Sequence, residues 1–298
     1  MSVISRPGGP DFSSAADAAG AHIAPRRVRR WYTQPALAAG LLLLGILVAL
    51  AIAAPLLTSY NPIKPNLSAT LLGPDSHHLL GTDQLGRDTF TRMLYGLRND
   101  LRIAFIAVLL PFCIGTVLGS ISGYFGGWVD GVIMRLVDIV VAFPFFVLII
   151  ALVFVLGPGE HSIYIAITLV GWISYARIIR GEILVAKRQD YVLAAQSGGL
   201  SSVRIMGRHL LPNVISQAFI YAMSDIVQDI LAIVTLGYFG LGIPPPTPDL
   251  GSMINDGQNF LTTHWQLSTF PGLVVVIVGL SLSLIGDGLA DLIRPGQA

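Results

Sequence analysis

The chain has 298 residues, of which 53% are hydrophobic and only 12% are charged, and its mean hydropathy is +0.71. Soluble domains carry about a quarter charged residues, so this composition excludes an ordinary soluble protein and indicates an integral membrane protein. A net charge of +1 gives no sign of a nucleic-acid-binding surface, and a single cysteine excludes an intramolecular disulfide.

The N-terminal 30 residues are rich in Ala, Gly, Ser and Pro, and we expect a disordered cytoplasmic tail over residues 1–30. The run RRVRR then precedes an apolar segment, which is also the arrangement of a cleavable signal sequence. The long polar lead-in and the apolar residues that continue to Leu57 favour a retained membrane span.

Six segments are long and apolar enough to cross a bilayer, which takes about 20 residues of helix. They are Ala36–Leu57, Arg102–Tyr124, Arg135–Leu156, Ser162–Ile183, Val214–Leu236 and Ser268–Leu289. Helices are expected because the backbone of a lipid-exposed segment must satisfy its own hydrogen bonds. Pro111 and Pro144 fall inside two of these spans, where we expect kinks rather than helix ends.

The distribution of basic residues predicts the orientation. Arginines cluster in the N-terminal tail and in the connection between spans four and five, whereas the connections after spans three and five have no Lys or Arg. This favours cytoplasmic N- and C-termini, although the basic residues of the long first connection argue weakly against it. We expect the tail at 1–30, the first helix with an extracytoplasmic segment at 31–100, and the transmembrane core at 101–294.

Motifs for catalysis and cofactor binding are missing. Neither lysine, Lys64 or Lys187, lies in a P-loop, and the sequence contains no G-x-S-x-G, H-E-x-x-H or C-x-x-C. Asp75, His77 and His78 suggest a metal site, but in a loop rich in Pro and Gly they are more often solvated. We therefore expect no catalytic residue, no metal site and no cofactor bound by this chain.

The cytoplasmic connection contains the stretch YVLAAQSGGLSSVRIMGRHLLPN at 191–213. Residues 191–197 predict a short helix whose small Ala194 and Ala195 allow another surface to approach closely. Gly198 and Gly199 suit a turn at its C-terminus.

A second helix is expected to follow that turn, with Ser201 or Ser202 as its cap. Val203, Met206 and Leu210 would share one face, and Pro212 would end the helix. The shape suits a projection that docks into a partner's groove, while Lys187, Arg188, Arg204 and Arg208 leave open a helix resting on lipid headgroups.

This stretch resembles the cytoplasmic loop of importer-type ABC transporter permeases, E-A-A-x3-G-x9-I-x-L-P. The matching residues, which the resemblance assigns to coupling with an ATPase subunit, are Ala194, Ala195, Gly199, Leu211 and Pro212. Leu193 and His209 replace the usual glutamate and isoleucine.

Three further stretches are similar to the C-type permease subunit of dipeptide, oligopeptide and nickel importers. They are HLLGTDQLGRDTFTRMLYGLR (78–98), GYFGGWVDGVIMRLVDIVVAFP (123–144) and GYFGLGIPPPTPDLGSMINDG (237–257). With the 191–213 loop they extend the resemblance over about residues 31–294. It implies an all-α type I ABC importer permease fold with six transmembrane helices and a coupling loop at 186–213.

The resemblance also implies partners and a place in the cell. Such permeases work in a bacterial cell membrane, surrounded by lipid, with a second homologous permease, two ATPase subunits or domains and an extracytoplasmic solute-binding protein. ATP and Mg²⁺ belong to the ATPase subunits. Peptide import is the expected function, and import of nickel or another small solute stays open.

Polar residues inside span five are the candidates for the translocation path. Asp225 and Asp229 are four residues apart with Gln228 beside them, in YAMSDIVQDILAIV. An aspartate at a helix centre costs about 3 kcal/mol on insertion scales, so such residues face a wet cavity or another helix. A path that attracts a cationic group, such as a peptide ammonium, and a contact between helices are both open.

Two other features lie at the ends of spans four and five. The proline-rich loop at 240–251 suits a gate or a dock for the binding protein, or else is a spacer. Arg177 and Arg180 are expected to anchor span four at the inner interface rather than to handle substrate.

A self-sufficient secondary transporter or channel is the alternative of another class. It would show repeated halves and helices broken at the midplane, and the sequence has no convincing internal repeat.

Overall fold

The computed structural model describes residues 34–293; the expected tail at 1–30, with its basic residues, lies outside them. This described part is helical, as predicted, and has one isolated β-bridge, between Thr82 and Asp88. The α-helices are α1 (Pro35–Leu57), α2 (Thr89–Phe125), α3 (Gly127–Val141), α4 (Phe145–Leu156), α5 (Glu160–Ala186), α6 (Asp190–Ser197), α7 (Ser202–Ile205), α8 (Leu211–Tyr238), α9 (Leu250–Gln258) and α10 (Gln266–Ile293). A π-turn at Met206–Leu210 joins α7 to α8.

Five of the six predicted spans are confirmed as long apolar helices in the described residues. They correspond to α1, α2, α5, α8 with the turns before it, and α10. Each helix contains the predicted segment and extends beyond at least one of its ends, because helical geometry continues into the more polar ends of the bundle.

The third predicted span, Arg135–Leu156, is corrected by the structure. Instead of one kinked helix, α3 ends at Val141, α4 begins at Phe145, and the two axes differ by 87°. Pro144 has no N–H to donate and disfavours a helical residue before it, so it stands immediately before α4. We call residues 142–144 the elbow. Pro111, by contrast, lies inside α2, as predicted.

Helix α2 is much longer than a single span requires. Its 37 residues correspond to about 55 Å of helix, whereas the hydrocarbon core of a bilayer is about 30 Å thick. It begins at Thr89, where the Asp88 carboxylate accepts a hydrogen bond from the Thr91 N–H at 2.8 Å. The stretch at 89–98 is therefore the first part of α2, and the expected domain division at residue 100 falls inside this helix.

Glycines bring α2 and α5 into close contact. Gly115, Gly119 and Gly123 recur every four residues and share one face of α2. A Cβ at Gly119 would lie only 2.5 Å from the Ala176 carbonyl oxygen and 2.9 Å from the Ala176 Cα. Small residues at this spacing let two membrane helices pack backbone to backbone. The α2–α5 pair is therefore a stiff unit along the bundle.

The two ends of this pair define the two ends of the bundle. At one end Lys187 Nζ donates to the Gly123 carbonyl at 2.8 Å, and the segment at 190–210 follows directly. At the other end Arg102 pairs with Glu160 at 2.8 Å. We call the first the coupling end and residues 190–210 the coupling segment. The connection at 58–88 and helix α9 lie at the opposite end.

Candidate functional site

The first half of the coupling segment is a short helix with a glycine-dependent end, as predicted. Helix α6 ends at Ser197, and Gly199 has φ +75°, a conformation that favours glycine. The Leu200 N–H donates to the Ala195 carbonyl at 3.2 Å and the Gly199 N–H to the Gln196 carbonyl at 3.0 Å. This pair of bonds is the Schellman motif, which fixes the direction of the chain after the helix.

The second half differs from the prediction. Pro212 does not end a separate helix; it sits in the first turn of α8, where its missing N–H is harmless. The π-turn inserts one extra residue, so Ile205 and Leu210, five apart, point inward and are fully buried. Val203 is 74% exposed, and the predicted common face of Val203, Met206 and Leu210 is therefore wrong.

A hydrophobic cluster fastens the coupling segment to the bundle. Val192, Ile205 and Leu210 are buried against Ile179 and Ile183 on the last turns of α5. Because burial of each such side chain is worth about 1.5–3 kcal/mol, the coupling segment and α5 are expected to move as one body.

The predicted coupling residues lie around this hydrophobic cluster, on the outer surface of the coupling segment or partly covered by it. Ala194, Gly199 and Pro212 are exposed, while Ala195 and Leu211 are half-buried. Leu193, which stands in place of the family's glutamate, is 47% exposed and so belongs to the outer surface. His209, in place of the isoleucine, is half-buried.

Arg180 holds the neighbouring helix α3 at the coupling end. Its guanidinium donates two bonds to the Asp130 carboxylate, at 2.5 and 2.6 Å, and Ser122 Oγ donates to the same carboxylate at 2.5 Å. These contacts tie the start of α3 to α2 and α5 at the coupling end.

An open-sided cavity of about 290 Å³ lies between α5, α8 and the elbow. We call it the polar cavity. Helix α8 contributes Tyr221, Asp225 and Gln228, which share a face at i, i+4 and i+7. Helix α5 contributes a matching stripe, and the elbow with the adjoining ends of α3 and α4 closes one side with apolar residues. The α5 residues are Val170, Gly171, Ile173, Ser174 and Arg177, and the residues in and beside the elbow are Val140, Val141, Phe143 and Phe145.

The structure brings two of the three predicted path residues together. Asp225 and Gln228 both line the polar cavity, and the Tyr175 hydroxyl donates to Asp225 Oδ2 at 2.8 Å. Asp229 is 1% exposed and is not part of the lining. Its Oδ2 has no hydrogen-bond partner among the described residues. Asp225 thus takes part in a helix contact and faces a cavity, which combines the two open interpretations.

Arg177 is a lining residue that the sequence interpretation did not assign to substrate. Its guanidinium is 47% exposed and contacts Asp138 Oδ1 at 3.4 Å, while Asp138 itself is 63% exposed. A signal was present in the sequence, because Arg177 follows Val170, Ile173 and Ser174 at i+7 on one helical face.

At the opposite end of the bundle, a second group of hydrogen-bonded residues surrounds the proline-rich loop at 240–251. Asn99 Nδ2 donates to the Pro248 carbonyl at 2.9 Å, and Asp100 Oδ2 accepts from the Leu250 N–H at 3.1 Å. Arg92 Nη1 donates to the Pro62 carbonyl at 2.8 Å. Burial raises the pKa of the Asp249 carboxyl, which caps α9 through the Ser252 N–H at 3.0 Å. The loop is therefore held firmly against the start of α2.

Comparison with known proteins places these features in a family. A family model described as binding-protein-dependent transport system inner membrane component matches residues 115–298. The dipeptide transport system permease protein DppC of Alkalihalophilus pseudofirmus is 38% identical over 256 residues, which is 86% of this chain and 84% of that one. The oligopeptide transport system permease protein OppC of Bacillus subtilis is 37% identical over 257 residues, with the same two coverages of 86% and 84%.

Solved structures resemble the chain in fold. An inward-facing structure of the MetNI methionine ABC transporter has a TM-score of 0.55 at 17% identity, covering 68% of this chain and 97% of that one. An amino acid ABC transporter has a TM-score of 0.52 at 15% identity, covering 66% and 91%. The arrangement of α-helices is thus that of type I ABC importer permeases.

Proposed function

Because the chain belongs to the family of binding-protein-dependent transport system inner membrane components, we propose that it forms half of the translocation path of an ATP-driven peptide importer. It is a non-catalytic, multi-pass subunit of the bacterial inner membrane. Peptides are the proposed substrate because the similar curated permeases are named for dipeptides and oligopeptides.

The observation that supports this function best is the construction of the coupling segment. Its inner side is buried on α5 and α8, while Ala194 and Gly199 are exposed at its tip. A stiff projection with small residues at the tip suits insertion into a groove of another protein. Force applied there reaches α5 directly, and through the glycine contacts it reaches α2.

Transport in this family is carried out by several separate proteins. This chain works together with an ATPase subunit and a substrate-binding subunit. We propose two ATPase subunits, which would bind ATP and Mg²⁺, and a second, homologous permease across the path. The coupling end would face the cytoplasm and the proline-rich loop would face the binding protein outside. This orientation agrees with the basic residues of the connection before α8.

The polar cavity is the proposed part of the translocation path on this chain. Asp225 and Gln228 would meet the solute, and Asp229, one turn further along α8, is buried behind them. Asp229→Asn is then expected to lower solute uptake, while the complex still assembles. Unchanged uptake at limiting substrate would count against that role.

Docking is tested by co-purification of the ATPase subunit with tagged permease. Ala194→Trp puts a large side chain on the exposed tip, and the expected result is loss of the ATPase from the purified complex. Gly73→Trp is the matched control, because Gly73 is exposed at the opposite end with nothing within 4 Å of its Cβ position. Equal ATPase recovery from the two variants would contradict the proposal. So would solute transport by the permease alone in liposomes, driven by an ion gradient without ATP.

A further inference from the structure

We propose that the polar cavity is a transit site for both charged ends of a short peptide, with Arg177 receiving the terminal carboxylate and Asp225 the terminal ammonium. This inference rests on the proposed function in peptide import. It adds that the permease itself checks the termini after the binding protein has released its cargo.

The shape of the cavity suits such a ligand. Its volume of about 290 Å³ is close to the lower limit of about 300 Å³ for small-molecule sites, which fits a ligand the size of a dipeptide. Its charged side chains come from two different helices, Arg177 from α5 and Asp225 from α8. A peptide with both termini free carries the complementary pair of charges.

Arg177 is available for a carboxylate. Its contact with Asp138 is long, at 3.4 Å, and both partners are about half exposed or more, so this ion pair contributes little stability. A substrate carboxylate is therefore able to replace Asp138. The planar guanidinium is suited to carboxylates because it donates two parallel hydrogen bonds.

Asp225 is held ready for a cation. The Tyr175 hydroxyl fixes one carboxylate oxygen at 2.8 Å, and the residue is only 3% exposed. The ion pairs among the described residues do not include Asp225, so its charge is met by hydrogen bonds and not by a cation. An ammonium arriving in the cavity would supply the missing charge, with Gln228 beside it as a hydrogen-bond acceptor.

The wall beside the elbow does not select a side chain. The elbow and the adjoining ends of α3 and α4 present Val140, Val141, Phe143 and Phe145, which offer apolar surface without donors or acceptors in their side chains. Recognition of the two termini against an apolar wall accepts peptides of different sequence. The elbow thus has a role in the site, because an unbroken α3–α4 helix would not bend around the cavity in this way.

The test uses the complete importer, with its binding protein and ATPase subunits, reconstituted in proteoliposomes and supplied with radiolabelled dialanine. We expect Arg177→Gln and Asp225→Asn each to lower the number of peptides imported per ATP by at least about tenfold, because each variant loses at least one charged hydrogen bond to the peptide. ATPase stimulation by the loaded binding protein should persist. Arg177→Lys should recover part of the uptake because it restores the charge without the bidentate geometry.

Two further variants separate a binding role from a structural one. Asp138→Asn removes the competing carboxylate and should leave uptake unchanged or raise it; if Arg177 only held Asp138 in place, this variant would reproduce the loss. Arg135→Gln, on the exposed surface of α3 and outside the cavity lining, is the charge-matched control and should behave as wild type. Wild-type dialanine uptake by Arg177→Gln, or reduced uptake by Asp138→Asn, would contradict the proposed transit site but not the proposed function. A wild-type complex that does not import dialanine would instead contradict the proposed function and the site with it.

Discussion

The glycine contact between α2 and α5 gives a prediction whose size follows from the structure. In Gly119→Ala the added Cβ would lie 2.5 Å from the Ala176 carbonyl oxygen, whereas ordinary contacts of a Cβ begin at 3.4 Å. The two helices must therefore separate by about 1 Å at this level. Gly115 and Gly123 pack in the same way one turn to either side, so the strain is not relieved by a local shift.

Overpacking of this kind destabilises a protein by about 1–3 kcal/mol. For a chain of this size, such a loss lowers the melting temperature by about 2–10 °C. The measurement is the fraction of monodisperse complex that survives heating in detergent, followed by size-exclusion chromatography with fluorescence detection.

The matched control is Gly279→Ala, inside α10, where nothing lies within 4 Å of the Cβ position. Alanine is the better helix former, so this change should leave the melting temperature unchanged or raise it slightly. If Gly119→Ala melts at the same temperature as Gly279→Ala, α2 and α5 do not pack backbone to backbone at this level, and the pair is not a stiff unit.

Two further predictions concern charged groups at the two ends. Arg180→Gln should lower stability by about 1–2 kcal/mol, because the bidentate contact to the Asp130 carboxylate is less than one-third exposed. Arg102→Gln, at the exposed pair with Glu160, should have no measurable effect in the same melting assay, and equal losses in the two variants would contradict this reasoning. The second prediction is a pH dependence. Burial raises the pKa of Asp249 above 3.8, so the folded chain binds this proton more tightly than the unfolded chain does. The stabilisation is complete below about pH 3.8 and is lost as the pH rises through the raised value. Asp249→Asn keeps a side-chain cap and removes the titration, so its melting temperature should vary less between about pH 4 and 8; equal slopes for the variant and wild type would refute this.

The long apolar helices and the glycine turn of the coupling segment were predictable from the sequence, because each depends on local properties. A run of about 20 apolar residues has few alternatives in lipid, and paired glycines after a short helix favour a left-handed turn. Pro144 was harder to interpret. Pro111 lies in an equally apolar run but inside α2, whereas Pro144 stands between two helices, and the local sequence pattern does not distinguish the two cases.

The polar residues of α8 show why the site was only partly predictable. Residues four apart share a side, but each such step also rotates the direction by about 40°. From Tyr221 the first step keeps Asp225 on the cavity, while the second turns Asp229 into the core. A sequence gives the spacing but not the angle at which the helix faces its neighbours. Arg177 was missed for a related reason, because an arginine near the end of a span has the same pattern whether it faces lipid headgroups or a cavity.

The π-turn before α8 sets the direction in which the coupling segment points. One residue corresponds to about 100° around a helix axis. Deleting one residue from Met206–Leu210 would therefore rotate α6 by about that angle around the axis of α8. Every side chain of α6 would remain, yet the helix would point in a different direction relative to the bundle. The direction of α6 relative to α8 thus depends on the number of residues between them as well as on their side chains.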